Sequence, residues 1–335
     1  DVDLITDTHI NSAVINSVAG RVNHAIDIAN TSVEINDIPD FLADASNDLD
    51  IADPQIYFYV TNTSPVEATV NAELIAYSDN GNKTVTVGIG SRYGTKEIRI
   101  PGNGTSCILL TKYGKYGNQG DQSDQSNHKY TPSRPTDYIE YVAVPDLGDL
   151  LRTVPDKIEI ANVDAKADDT KTVTFDLGPA SRYTFNTDYE AVVPFSFGEN
   201  LFINYETTDD GWDEDLEKYN FDTVLLTATA FNSTPLQLHP VIEALGSNER
   251  VLTNITATVD RDILGGSIAT PSETPVRITL RSTGENIKDL QGIRIVFEGT
   301  IDPSRAGAAL NENQSVMFTD IQLSITGGIT IDLND

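Results

Sequence analysis

The sequence predicts an all-β fold made of two tandem antiparallel β-sandwich domains, immunoglobulin-like or fibronectin-like, that are related by internal duplication. Short runs in which apolar and polar residues alternate recur along the 335 residues. Gly, Pro, Asn and Asp separate these runs, and one turn motif occurs twice. Long runs with a helical period do not separate them, which favours sandwiches over a fold of alternating strands and helices.

Alternation with a period of two is typical of strands that bury one face. Residues 66–74 place Val, Ala, Val, Ala and Leu at every second position. Asn80-Gly81 separates this run from residues 84–87, and Asn-Gly between two such runs predicts a hairpin because both residues tolerate a positive φ. Residues 276–281 and 321–325 alternate in the same way.

The turn motif joins residues 60–66, Val-Thr-Asn-Thr-Ser-Pro-Val, to residues 230–236, Ala-Phe-Asn-Ser-Thr-Pro-Leu. The apolar positions of residues 108–110 and 278–280 match at the same spacing. A repeat of this length indicates duplicated domains and not a solenoid of small units. The Asn can bond its own backbone at a strand end, and the Pro lacks an N–H, so we expect the motif to build the fold.

The repeat predicts a first domain over residues 1–185 and a second domain over residues 186–335. Only the first copy carries a long insertion, near residues 112–143. Helix is expected only as short turns, for example at residues 39–45 and 146–151.

The formal net charge is −29, from 51 acidic and 22 basic residues. A field of this sign repels phosphate backbones and anionic lipid surfaces, which disfavours nucleic acid and membranes as partners. Divalent cations, neutral glycans and basic proteins remain compatible with it, and an acidic surface also simply keeps a protein soluble.

Cys107 is the only cysteine, so the sequence predicts neither an intrachain disulfide nor a cysteine zinc site. By its place in the repeat, we expect its thiol to point away from the core or to lie at its rim. No run of about 18 apolar residues occurs, so no transmembrane segment is predicted. Because the chain starts at Asp1, we expect a mature, exported chain whose leader was removed: anchored on the outer-membrane surface, periplasmic or extracellular.

The sequence lacks the motifs of common catalytic sites: a Gly-x-Ser-x-Gly elbow, a His-Glu-x-x-His pair and a phosphate-binding Gly-Lys-Ser/Thr loop. We therefore predict that the protein is not an enzyme and needs no cofactor. A carbohydrate-active enzyme stays open, because a pair of acids on a β-scaffold leaves no motif; two carboxylates about 5–9 Å apart in one cleft would favour it.

The insertion is the best candidate for a binding site, because it is locally basic and rich in tyrosine. Aromatic rings on loops can stack on sugars or anchor a protein partner, and long loops in compact domains are often functional. The alternative is a mobile flap, or one that docks on the acidic surface of its own protein. The predicted ligand-binding residues, including one tryptophan from outside the insertion, are Tyr113, Tyr116, Lys129, Tyr130, Arg134 and Trp212.

The acidic segment around the single tryptophan is a second candidate site. Clustered carboxylates can hold Ca²⁺ through oxygen ligands. The spacing is not that of a helix–loop–helix calcium site, and it is more typical of a solvated acidic turn whose Trp212 packs between the domains. The candidate metal ligands are Asp209, Asp210, Asp213 and Asp215.

Four segments carry a resemblance to a known group of proteins: residues 194–198, 232–235, 310–314 and 324–333. Together they resemble secreted or lipid-anchored surface proteins of Bacteroidetes whose function is unknown and which have tandem β-sandwich domains. The resemblance implies export and supplies no catalytic residues. Such proteins are commonly attached through a lipidated cysteine before the mature chain, and this sequence has none there. The turn motif is also similar, at the level of fold, to the small sandwich of late-embryogenesis-abundant proteins.

The function predicted from these observations is that of a non-enzymatic cell-surface or periplasmic protein that binds a glycan or a protein partner. The alternative is a structural or adhesive subunit of a surface assembly, in which sandwich edges pair with neighbouring molecules. The sequence predicts no oligomeric state.

Overall fold

The computed structural model describes residues 14–26, 28, 30–34, 42–78, 81–116, 130–212, 221–284, 287 and 289–326. Within these ranges the fold is all-β, as predicted. The strands of the first half are β1 (Ser17–Gly20), β2 (Ala25–Ile26), β3 (Thr31–Glu34), β4 (Gln55–Asn62), β5 (Ala68–Ser78), β6 (Lys83–Ile89), β7 (Ile98–Ile100), β8 (Gly104–Thr111), β9 (Tyr138–Ala143), β10 (Lys157–Ala167), β11 (Val173–Asp176) and β12 (Phe185–Val192).

The described part of the second half is also built of strands. They are β13 (Ile203–Asp210), β14 (Thr223–Asn232), β15 (Leu236–Leu245), β16 (Ile255–Val259), β17 (Ser272–Ser282), β18 (Gly292–Ile301) and β19 (Val316–Thr326). In the described ranges the helices are short and of 3-10 type. Four have three residues each, Ser91–Tyr93, Gly114–Tyr116, Ser247–Glu249 and Pro303–Arg305, and Pro145–Leu151 has seven. The turn at Pro145–Leu151 lies where a short helix was predicted, and it buries three leucines. None of the described helices has the length and hydrophobicity needed to cross a bilayer.

The first sandwich is formed by two facing sheets. In one, β10 pairs with β2, β3 and β5, and β5 pairs with β6 and β7; the other has the order β12-β4-β8-β9. Strands β1 and β11 form a separate two-stranded sheet. Among the described strands, β8 and β9 make the single parallel pair, which departs from the predicted antiparallel pattern.

The second sandwich places a sheet of order β13-β18-β15 against a sheet of order β16-β17-β14-β19. The central pairings repeat those of the first sandwich. Strand β14 pairs with β17 and β19 as β4 pairs with β8 and β12, and β15 pairs with β18 as β5 pairs with β10.

Alternating burial explains why these segments form sandwiches. Along β5, Ala68, Val70, Ala72, Leu74 and Ala76 are buried and the residues between them are only partly covered. Successive side chains of a strand point to opposite faces, so the buried set lies on the side that meets the facing sheet. Removal of these side chains from water is the main stabilising contribution to such a core.

Asn62 closes the turn between β4 and β5 and is 2% exposed. Its amide Nδ2 donates to the carbonyl oxygen of Val66 at 2.8 Å and to that of Pro101 at 3.2 Å. Its Oδ1 accepts from the backbone N–H and the hydroxyl of Ser64, at 3.1 and 2.8 Å. A buried amide with all of these partners holds the turn together and links it to the strand before β8.

Asn232 closes the turn between β14 and β15 in the same way and is 0% exposed. Its Nδ2 donates to the carbonyl oxygens of Leu236 and Leu264, at 2.7 and 3.0 Å. Its Oδ1 accepts from the backbone N–H and the hydroxyl of Thr234, at 2.8 and 2.7 Å. The two asparagines therefore occupy equivalent places in the two sandwiches; descent from one duplicated domain stays a prediction.

The predicted boundary at residue 185 falls at the start of a strand of the first sandwich. β12 pairs with β4 from Phe185 to Val192. Beyond it, Ile51 and Phe197 form an isolated bridge, and both are buried in the main apolar core. The β4 sheet thus continues to Val192, and the division of the chain into two domains stays a prediction.

Candidate functional site

The side of the β12-β4-β8-β9 sheet that points away from the facing sheet carries a second, smaller apolar cluster. We call this side the outer face. Tyr57 and Tyr59 of β4 and Cys107 and Leu109 of β8 are buried there together with Tyr130 of the insertion. Apolar side chains on the outside of a sheet need a cover to leave water, and the insertion supplies it.

Tyr130 is the main contact between the insertion and the sheet. It is 3% exposed, and its hydroxyl donates to Oδ1 of Asp53 at 2.6 Å. Burial and then the hydrogen bond to Asp53 raise the pKa of Tyr130 well above its ordinary value. The ring predicted to contact a ligand is therefore used to cover the sheet, as in the alternative of an insertion that docks on its own protein.

Cys107 faces away from the main core but is 0% exposed, because it lies in this smaller cluster. Burial, followed by the charge of Glu190, raises the pKa of its thiol to about 11. The thiol stays protonated at neutral pH, and a protonated, buried thiol is a poor nucleophile.

Arg134 contacts the outer face near the start of residues 130–143, the second described part of the insertion. Its guanidinium carbon lies 4.7 Å from the centroid of the Tyr59 ring, and it forms an ion pair with Asp188 of β12. The hydrogen bond from Arg134 is the main reason why the pKa of Asp188 is lowered. The backbone N–H of Ser133 donates to the Tyr59 hydroxyl at 3.2 Å. Stacking and pairing together hold the guanidinium in one orientation.

A pocket of about 260 Å³ opens beside this guanidinium. The hydroxyls of Thr61 and Thr105 lie 3.3 Å apart on neighbouring strands. Together with the amide of Asn186, the guanidinium of Arg134 and the carboxylate of Asp188, these hydroxyls offer both donors and acceptors to a polar ligand. The pocket is lined by Tyr59, Thr61, Thr105, Arg134, Pro135, Asn186, Thr187 and Asp188.

Of the predicted ligand-binding residues that the structure describes, Arg134 alone lines this pocket. Tyr113 is 39% exposed, with the ammonium nitrogen of Lys112 5.7 Å from its ring centroid. Tyr116 ends the single helical turn at Gly114–Tyr116. Lys129 lies outside the described residues.

Trp212 follows β13 in the second sandwich. It is partly buried against the main core, and its backbone N–H donates to the carbonyl oxygen of Gln291 at 2.9 Å. Asp209 and Asp210 are neighbours on β13, so their side chains point to opposite faces of the sheet. Asp213 and Asp215 lie outside the described residues. In the ranges that the structure does describe, no group of three or more His, Cys, Asp or Glu residues could hold a metal ion.

The sequence does not predict the pocket residues that come from strands β4, β8 and β12. One signal was available: Tyr57 and Tyr59 alternate with apolar Phe58 and Val60. A strand that is apolar on both faces is typical of a sheet covered on both sides. Its register with β8 and β12, which sets Thr61 beside Thr105 and Asn186, depends on long-range pairing.

No family model matches this sequence, and no curated protein is similar to it. Among solved structures, the chain is similar to a protein of Parabacteroides distasonis ATCC 8503 described as a "putative secreted protein". The TM-score is 0.59, the identity is 15%, and the match covers 93% of this chain and 89% of that chain. The likeness shows that the two chains have a common all-β fold over most of their length, and the matched protein comes from the Bacteroidetes, the group that the sequence resembles.

Proposed function

We propose that this protein is an exported, non-enzymatic binding protein that recognises a neutral glycan at the pocket beside Arg134. The observation that carries the proposal is the arrangement of that pocket, in which polar groups from β4, β8 and β12 converge beneath a guanidinium fixed by Tyr59 and Asp188. A pocket with few, well-oriented polar groups is typical of small-ligand recognition.

The chemistry of the lining favours a sugar. Sugar hydroxyls both donate and accept hydrogen bonds, and so do the hydroxyls of Thr61 and Thr105 and the amide of Asn186. Arg134 stacks on Tyr59 and pairs with Asp188, and contacts that favour one orientation before binding reduce the side-chain entropy that binding costs. The net charge of −29 disfavours acidic glycans and leaves neutral ones.

Export is supported by the sequence resemblance and by the fold that this chain shares with the Parabacteroides protein. We infer a place on the outer-membrane surface, in the periplasm or outside the cell. Fractionation of the native cells, followed by protease treatment of intact cells, distinguishes these compartments. Recovery of the protein in the cytoplasmic fraction would contradict export.

A glycan array followed by calorimetric titration of the best neutral glycan tests the binding site. Arg134→Ala is expected to weaken binding at least about tenfold, which corresponds to about 1.4 kcal/mol. Arg99→Ala is the matched control, because Arg99 is also an exposed arginine paired with carboxylates and lies away from the pocket. Arg134→Ala with the affinity of the unsubstituted protein, or an array with no neutral glycan bound, would overturn the proposal.

One observation favours a second candidate function, that of a subunit of a surface assembly. β19 pairs only with β14 among the described strands, and its Met317, Ile321 and Leu323 are 54%, 62% and 44% exposed. An edge strand with apolar side chains can pair with a strand of another molecule. Light scattering over a range of concentrations tests this, and a strictly monomeric protein would contradict it.

A further inference from the structure

A cavity of about 250 Å³ lies between the two sheets of the first sandwich. Its lining is mostly aliphatic and aromatic, and comes from both sheets. On one side it is formed by Phe58, Val60 and Ile108, and on the other by Val70, Ala72 and Ile160. Voids inside protein cores are rarely larger than a water molecule; this cavity is larger and reaches the surface at one edge of the sandwich.

The size of the cavity is sufficient for an organic molecule. An engineered cavity of about 150 Å³, lined by Leu, Ile and Phe, stays dry and binds benzene. Water gains little in such a space because a buried water needs two or more polar partners. The lining of the present cavity therefore favours an apolar occupant over water.

The cavity opens between β3 and β12, which lie at the edges of their sheets among the described strands. Thr187 pairs with Val60, so its side chain points towards the cavity, yet it is exposed. Thr31 of β3 lines the same opening. The hydroxyl of Tyr189 donates to the carbonyl oxygen of Ser32 at 3.3 Å and ties the two edges together beside it. Hydroxyl groups therefore lie at the entrance of the cavity, while the side chains named above for its two sides are apolar.

We propose that this cavity binds one small neutral amphiphile, with an aliphatic chain between the sheets and a hydroxyl-type head group at Thr31 and Thr187. The apolar lining matches the chain, and the two threonines match the head group. A carboxylate head group is disfavoured because the whole chain carries a charge of −29. This cavity and the glycan pocket lie on opposite faces of β12 and share Thr187 and Asp188 in their linings. Thr187 pairs with Val60 on the inner face, so its hydroxyl belongs to the cavity.

The second sandwich provides the matched comparison. Its own intersheet cavity, of about 180 Å³, is smaller, and Asp209 contributes to its lining. Asp209 pairs with Ile293, which is 1% exposed, so the carboxylate is on the inner side of its sheet. An aliphatic chain beside a carboxylate would remove water from the charge at a cost, so we expect this cavity to take no amphiphile.

Calorimetric titration of the full chain with 1-decanol and with decanoate tests the proposal. We expect one equivalent of 1-decanol to bind and decanoate to bind at least about tenfold more weakly, a difference of about 1.4 kcal/mol. Ala72→Leu fills the first cavity and should abolish binding. Ala228→Leu makes the same change in the second cavity and should leave it intact. Absence of saturable 1-decanol binding, or unchanged binding by Ala72→Leu, would overturn the proposal.

Val70→Ala provides a second test of the cavity if the Ala72→Leu protein does not fold. This substitution enlarges the first cavity without adding bulk, and we expect it to raise the affinity for 1-dodecanol relative to 1-octanol. Thermal unfolding and circular dichroism establish that each variant is native. A Val70→Ala protein whose ratio of the two affinities equals that of the unsubstituted chain would count against the cavity as the site.

Discussion

In the first sandwich, β8 is followed by the insertion and by β9, which lies parallel to β8 at the edge of the sheet. In the second, the corresponding edge is formed by β16, which lies antiparallel to β17. The central strands on both sides pair alike and share one buried asparagine turn. The turn and the central strands therefore form the scaffold that both sandwiches share. The edge and the outer face of the first sandwich hold the additional residues from which we infer binding.

The largest effect is expected at the shared turn. Asn62→Ala and Asn232→Ala each remove the side-chain partner of one buried carbonyl, one partly buried carbonyl and one N–H, so each should lower the free energy of unfolding by about 3 kcal/mol. Urea unfolding measures this, with the exposed Asn313→Ala as a control that stays within about 0.5 kcal/mol. A large loss at one asparagine and none at the other would show that the two turns are not equivalent.

The next effect concerns the cover of the outer face. Tyr130→Ala removes the ring above Cys107, so the rate at which that thiol reacts with dithiobis(nitrobenzoate) should rise at least about tenfold. Tyr205→Ala, which removes a tyrosine that is 50% exposed on the second sandwich, serves as the control. Equal thiol reactivity in the Tyr130→Ala and unsubstituted proteins would mean that the insertion does not protect the sheet.

A smaller effect is expected at β9, which runs parallel to its neighbour, unlike β16 at the corresponding edge of the second sandwich. Glu140 is 2% exposed, accepts a hydrogen bond from Tyr138 and forms an ion pair with Lys96. That hydrogen bond is the main reason why the pKa of Tyr138 is raised to about 12. Glu140→Gln should move the Tyr138 pKa down towards the ordinary value of 10.0, measured by the ultraviolet absorbance of tyrosinate.

The same pair predicts a dependence of stability on pH. Because the folded-state pKa of Tyr138 lies above its unfolded value, its contribution is complete below about pH 10 and is lost as the pH rises through about 12. Unfolding of the Glu140→Gln variant should therefore depend less on pH across this range. A steeper loss in the variant than in the unsubstituted protein would contradict this assignment.

The smallest effect is expected at an exposed pair of the second sandwich. Nδ1 of His239 lies 2.7 Å from Oδ1 of Asp262, and this hydrogen bond is the main reason why the pKa of Asp262 is lowered. The contribution to stability is present above the ordinary carboxyl pKa and lost as the pH falls through the lowered one. Asp262→Asn should therefore cost less than about 1 kcal/mol at neutral pH and nothing in strong acid. A difference that stays undiminished in strong acid, below the lowered pKa of Asp262, would contradict it.

The strands and the asparagine turn could be predicted from the sequence because both are local signals. Alternation of apolar and polar residues marks a strand, and the spacing of Asn62 and Pro65 marks a turn, whatever lies elsewhere in the chain. The parallel pairing of β9 could not be predicted in this way, because the partner of an edge strand is decided by packing and not by its own residues.

The candidate site was predictable only in part, for the same physical reason. Arg134 could be found because a basic residue stands out in an acidic chain. Thr105 and Asn186 could not, because they meet Thr61 only through the register of three strands that are distant in sequence. The role of Tyr130 as a cover also depends on a contact with Asp53 that no local pattern indicates.

Mapping the glycan contact on the folded chain is the most direct test of glycan binding at the pocket beside Arg134. The titration of a ¹⁵N-labelled protein with the best neutral glycan from the array, followed by amide chemical-shift changes, locates the contact without substitutions. We predict that the largest changes fall on Thr61, Thr105, Ser133, Arg134 and Asn186 of the first sandwich. Changes confined to β13 to β19, or spread evenly over both sandwiches, would contradict a binding site on the outer face.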